Sequence, residues 1–143
     1  MPVVFSRACE YALRALLAMA RHREQESWTV QELASRTDTP APFLAKTFQS
    51  LVKGKILIST QGRHGGFGFA RLPGKISFME VVNIIDGPAL TENCALGLPE
   101  CNDKNPCPFH AQWKGIRADI INALKNQTLT NSVIIKEKAR RGG

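Results

Sequence analysis

The chain of 143 residues predicts a mainly α fold with one small β-hairpin: a winged helix–turn–helix domain followed by a long C-terminal helix. Three observations predict it. Apolar residues recur at helical spacing in segments near both ends of the chain. Two further short helical segments are separated by Thr37-Asp38-Thr39-Pro40, a turn by composition. A glycine-rich reversal, Gln61-Gly62-Arg63-His64-Gly65-Gly66, lies between two short apolar runs.

The elements follow in order. The first helix is expected over roughly Ser6 to His22, with Cys9, Leu13, Leu16, Leu17 and Ala20 on one face and Arg7, Glu10, Arg14 and Arg21 on another. Thr29-Val30-Gln31-Glu32 fits a capping box, in which hydroxyl and carboxylate each satisfy a free backbone N–H, so a short helix starts there and ends near Arg36. A third helix runs from about Ala41 to Lys53, and Pro42 is tolerated in its first turn because N–H groups there have no intrahelical partner. Ile56–Ile58 and Phe67–Ala70 form the hairpin, closed off by Pro73 and Gly74. Ser77-Phe78-Met79-Glu80 is a second capping box and opens a helix that runs to Asp86 and stops at Gly87. Residues 87–108 read as loop. A long helix then spans about Phe109 to Gln127, with Trp113, Ile116, Ile120, Leu124 and Gln127 in a near-heptad stripe. Such a stripe outside the compact domain expects a partner helix, and hence a homodimer. The alternative is packing on its own domain.

Lys and Arg total 19 against 12 Asp and Glu, a net charge of +7, with pI near 9.6. That balance favours a polyanion partner. No apolar run approaches a membrane span, and the N-terminal stretch lacks signal-peptide architecture, so a cytoplasmic protein with no membrane partner is expected. Four cysteines in such a chain point to metal or redox chemistry rather than a disulfide framework.

Two constellations carry chemistry. In a helix–turn–helix the second helix presents its N-terminal and outer residues to the major groove of double-stranded DNA. Pro42, Lys46, Gln49 and Lys53 share that face, with Thr29 and Gln31 at the start of the preceding helix. Gln pairs bidentately with adenine, and Lys favours guanine or phosphate. Gln61, Arg63 and His64 at the hairpin tip would enter the minor groove or grip the backbone. The second constellation is Cys94, Cys101, Cys107 and His110, separated in turn by six, five and two residues. Thiolates select zinc, copper(I) or iron–sulfur clusters. Structural zinc usually shows two short pairs, and only Cys107 and His110 make one here. The wide spacing suits a larger object such as a two-iron cluster, in which histidine can replace cysteine. For the fourth ligand His110 ranks first, Glu10 second and Cys9 third. Cys9 lies on the apolar face of the first helix, where core packing is its better role.

With these residues in place, the chain resembles the bacterial winged-helix regulators that include IscR, NsrR and RirA. EYALRALLAMA resembles that family's first helix, LASRTDTPAPFLAKTFQSLVKGKILIST its helix–turn–helix, QGRHGGFGFARLP its wing and ISFMEVVNIIDG its next helix. The cysteine loop with CPFHAQW completes the likeness. The resemblance implies a homodimer on a two-fold symmetric DNA operator, with a 2Fe–2S cluster on Cys94, Cys101 and Cys107. It implies His110 as fourth ligand in the IscR pattern and Glu10 in the NsrR pattern. Four positions depart from the family: the first cysteine gap is one residue longer, Lys55 stands where glycine is usual, Gln61 replaces the wing's usual arginine, and Ala45 replaces a glutamate of IscR-type recognition helices.

The domain organisation expected is thus a DNA-binding winged helix over residues 1–87, a cluster loop over 88–110, and a dimerisation helix with a basic tail over 111–143. The function expected is a transcriptional regulator, not an enzyme, whose operator affinity follows a 2Fe–2S cluster that senses iron–sulfur status, redox state or nitric oxide. The alternatives are a DNA-binding regulator using zinc or reactive thiols, and, further away, a small iron–sulfur electron carrier. No nucleotide loop and no His–carboxylate catalytic pair is visible in the sequence.

Overall fold

The structure, a computed structural model, describes residues 4–63, 65–88, 93–99 and 101–130. Among the described residues, five helices pack with a β-hairpin: α1 (Arg7–Arg21), α2 (Val30–Thr37), α3 (Ala41–Lys53), β1 (Leu57–Thr60), β2 (Gly66–Phe69), α4 (Phe78–Ile85) and α5 (His110–Asn126), with a 3-10 turn at Pro73–Lys75. Both expected capping boxes form, Thr29 with Glu32 at α2 and Ser77 with Glu80 at α4. Pro42 sits in the first turn of α3, where it removes no helical hydrogen bond.

α1 is the central element and packs against α2, α3 and α4. Its apolar face, Cys9, Leu13, Leu16, Leu17 and Ala20 included, is buried, and Arg7, Arg14 and Arg21 are exposed. Leu16, Leu33, Leu44, Phe48 and Leu51 close the core between the three helices. Burying each such side chain contributes about 1.5–3 kcal/mol. Ser6 caps α1 by accepting the Cys9 N–H at 3.1 Å. Ser6 also donates through both its N–H and its hydroxyl to Asp86, just after α4, which ties the start of one helix to the end of the other.

The hairpin is antiparallel, with Leu57 opposite Phe69 and Thr60 opposite Gly66. It does not stand alone. Trp28 donates to the Phe67 carbonyl at 2.9 Å and accepts from the Phe67 N–H at 2.7 Å, adding a third short edge. The approach is so close that a Cβ on Gly66 would lie 2.4 Å from the Trp28 carbonyl oxygen, and one on Gly68 2.5 Å from that of Glu26. Phe67 then packs edge-on against Phe48 of α3, with centroids 5.3 Å apart, so the hairpin is fixed to α3.

α5 divides along its length. Its C-terminal half packs on α4, with Leu124 buried and Ile120 and Ile121 against the core. The chain beyond it pairs with the segment before α4. Phe78 donates to the Gln127 carbonyl at 2.8 Å and Leu129 to that of Ile76 at 3.1 Å. The last turns of the stripe therefore serve their own domain, as in the alternative weighed above. Ile116, nearer the start, is 45% exposed. The tail after Thr130 lies outside the described residues.

Candidate nucleic-acid interface and metal centre

The N-terminal turns of α2 and α3 meet the wing around a cleft of about 440 Å³ lined by Thr29, Gln31, Pro42, Ala45, Gln49 and Phe67, among others. Four of the predicted DNA-facing residues, Thr29, Gln31, Pro42 and Gln49, are thereby brought to one concavity. All four are exposed, as are Lys46 and Lys53 along the outer face of α3. Gln61 and Arg63 are exposed at the wing tip, and His64 lies outside the described residues. Phe43 is also half exposed on α3 and packs edge-on against Tyr11, whose ring carries the Arg14 guanidinium 5.5 Å from its centroid.

The second site is the cysteine loop. The Sγ atoms of Cys94, Cys101 and Cys107 all lie within 4.8 Å of one another. Cys94 Sγ is 3.6 Å from Cys107 Sγ, and His110 Nδ1 is 3.3 Å from Cys101 Sγ. Backbone amides point at the sulfurs: Leu96 N–H donates to Cys94 and Cys107 N–H to Cys101, each at 3.4 Å. The Leu98 N–H is the largest influence on the Cys94 thiol. With the Leu96 N–H and the neighbouring thiols it outweighs desolvation and pulls Cys94 down to about 7. At Cys101 the Cys107 N–H acts downward, but desolvation and the two adjacent thiols outweigh it and the net shift is upward. Glu10 lies on α1, 3.9 Å from Arg14, outside the thiol group. Cys9 is fully buried, and burial first, then Asp86 and Glu10, push its thiol up to about 12. That fits the packing role expected for it.

The profile of the Rrf2 family, described as an iron-dependent transcriptional regulator, matches residues 5–133. The chain belongs to the Rrf2 family. An HTH-type transcriptional regulator of Aquifex aeolicus is 32% identical over 138 residues, 95% of each chain. CymR, the global cysteine regulator of B. subtilis, superposes with a TM-score of 0.73 at 17% identity, covering 90% of this chain and 94% of that one. IscR of T. potens gives 0.71 at 21% identity, covering 92% and 85%. At those identities the two structures share the winged-helix fold. As a member of the Rrf2 family the protein is a DNA-binding transcriptional regulator and not an enzyme. No helix among the described residues is long and apolar enough to cross a membrane.

Folding also assembles groups that the Rrf2 sequence pattern did not reveal. The sequence pointed to no carboxylate partner for His110, and its Nε2 lies 2.9 Å from Asp103 Oδ1. Lys114 Nζ donates to both oxygens of Asp103, at 3.1 and 3.2 Å. The one available signal is Asn102, a residue that favours turns closed by its own side chain. Its Oδ1 accepts from Lys104 N–H and Asn105 N–H, and this turn sets the backbone of Asp103. Trp113 and Arg117 of α5 both donate to the Asn93 carbonyl, at 3.2 and 3.4 Å, holding the segment that leads into Cys94.

Proposed function

We propose that this Rrf2 regulator binds a two-fold symmetric DNA operator as a homodimer and that its affinity follows the state of a 2Fe–2S centre on Cys94, Cys101, Cys107 and His110. The observation that carries the reading is the convergence of three thiols within 4.8 Å of one another, with His110 Nδ1 3.3 Å from one of them, Cys101. The donor set fits such a group: three soft thiolates plus one imidazole, with backbone N–H groups aimed at the sulfurs. When bound, the centre would supply an electron-transfer and gas-reactive group whose loss frees its ligands. His110 takes precedence over Glu10 within one chain, because its Nδ1 is 3.3 Å from Cys101 Sγ while Glu10 of the same chain pairs with Arg14.

The chain's own residues supply the coupling. The cysteine loop ends at His110, the first residue of α5, so ordering of the loop sets where α5 begins. Leu96, Leu98, Phe109 and Ile116 leave apolar surface exposed on the loop and on the start of α5, which a second copy would cover. Half-sites of such dimers lie about 34 Å apart, so a shift of a few Å between recognition helices changes affinity. On the DNA side, Gln49 reads an adenine while Lys46, Lys53 and Arg63 take phosphates or guanine. The division proposed is a DNA-binding unit over 1–87, onto whose core Leu124 and Leu129 also pack, the loop over 88–110, and the dimer helix from 111. A cytoplasmic location follows from the role.

The test is anaerobic purification with iron and acid-labile sulfide determined, and a mobility-shift assay before and after cluster removal. We expect about two irons and two sulfides per chain, and altered operator affinity once they are lost. Colourless, iron-free protein, or affinity indifferent to the cluster, overturns the reading. A second reading has its own observation. All three sulfurs lie within 4.8 Å of one another, as they would around one ion with a tetrahedral edge of ~3.8 Å, given Zn–S bonds of about 2.3 Å. One tightly bound zinc per chain, without sulfide, would favour it.

A further inference from the structure

We propose that Asp103, braced by Lys114, is the positioning residue that presents His110 to the thiol group. The proposal rests on the reading that the three cysteines and His110 hold a metal. The His110 side chain is only 15% exposed, and its two ring nitrogens face different partners: Nδ1 the Cys101 sulfur at 3.3 Å, Nε2 the Asp103 carboxylate at 2.9 Å. A neutral imidazole carries one N–H, and a carboxylate can only accept. In the neutral ring that a metal ligand must be, the Asp103 contact places the proton on Nε2 and leaves the Nδ1 lone pair toward Cys101 Sγ. Histidines that bind metals are held in this way, with the second nitrogen donating to a carboxylate that fixes tautomer and ring orientation.

Two features give Asp103 a fixed place. Asn102 closes the tight turn beneath it through Oδ1, and the Asn102 and Asn105 backbones exchange hydrogen bonds at 3.1 and 3.3 Å. Lys114 lies one turn beyond His110 on α5 and reaches both Asp103 oxygens. Asp103 is 70% exposed and Lys114 57%, and an ion pair so placed adds little to stability. Its contribution is orientation: Lys114 keeps the carboxylate over α5, so the imidazole stays aimed when the rest of the loop moves.

Co(II) is the probe, because its visible bands report thiolate and imidazole ligation independently of iron chemistry. Titrated anaerobically into the full-length metal-free protein, it should bind with thiolate charge-transfer bands. Asp103→Ala should weaken Co(II) affinity about 10–100-fold and shift the ligand-field bands, and Asp103→Glu should recover most of the loss. In a His110→Ala background, Asp103→Ala should have no further effect, since there is no imidazole left to orient. Far-UV circular dichroism checks that the variants fold, which the exposure of Asp103 favours. Asp103→Ala within about two-fold of wild type while His110→Ala is impaired overturns the proposal and leaves the metal reading standing. An equal loss from Asp103→Ala with and without His110 also overturns it, since the effect would then be a general one on the loop. Wild-type protein without thiolate bands on Co(II) addition overturns the metal reading and the proposal together.

Discussion

Lys55 occupies a backbone position that glycine normally fills. Its φ is +64°, and the turn around it closes as helix ends with a left-handed residue do. Ile56 N–H reaches back to Leu51 and Lys55 N–H to Val52, each at 3.0 Å. A side chain there costs roughly 1–2 kcal/mol relative to glycine, offset in part by the greater unfolded-state freedom of glycine. Lys55→Gly should therefore raise stability by about 1 kcal/mol, read as a higher urea midpoint with unchanged slope. The thiols give a second prediction at this scale. In metal-free protein near neutral pH, iodoacetamide should modify Cys94 first, because its thiol is pulled down to about 7. Cys9, buried and pushed up to about 12, should react only on unfolding. Peptide mass spectrometry against time checks the order, and early labelling of Cys9 would contradict the packing assigned to it.

Among the elements, those set by neighbours in sequence were the legible ones. Thr29 with Glu32 and Ser77 with Glu80 announce helix starts because donor and acceptor lie three residues apart, and both boxes are present. Pairings between distant segments were not legible. Nothing in the sequence around Trp28 signals that its backbone will pair with Phe67, since that contact depends on how α1, α2 and the hairpin pack. Asp103 stayed hidden for the same reason, although the cysteines around it were plain. The capping box at α4 carries a pH prediction. Burial acts upward on the Glu80 carboxyl, but the Ser77 N–H and then the Arg71 guanidinium, 2.5 Å away, hold it below its ordinary value of 4.5. A carboxyl depressed by folding adds stability above its unfolded value, and that stability fades as pH falls through the lower folded value. Glu80→Ala should thus cost about 1 kcal/mol at pH 7 and progressively less below pH 4.5. Thermal melts of both proteins from pH 7 to pH 3 read the convergence.

For the whole molecule, the return of the chain after α5 matters most. Leu129 is 2% exposed and anchors that return beside Ile76, far in sequence from the core it completes. Leu129→Ala should cost about 2–5 kcal/mol, measurable by urea denaturation. It should also loosen α5 from α4, seen as faster hydrogen exchange at Ile120–Leu124 than in α1. If α5 behaved as a separate dimer arm, exchange there would be unchanged by the substitution. Leu129, with Leu124, Ile120 and Ile121, therefore joins the helix that begins at the cysteine loop to the core of the domain.

The two tryptophans of the chain fall on opposite sides of this arrangement. Trp28 is buried beneath Arg36, with its ring N–H given to the Gln25 carbonyl, whereas the Trp113 ring N–H goes to Asn93, one residue before Cys94. Intrinsic fluorescence is thereby split by origin. Emission from Trp28 reports the integrity of the DNA-reading half, and emission from Trp113 reports the posture of the thiol loop. Subtracting the spectrum of Trp113→Phe from that of the native chain isolates the second signal, so the molecule carries an optical gauge of its thiol loop and needs no attached dye.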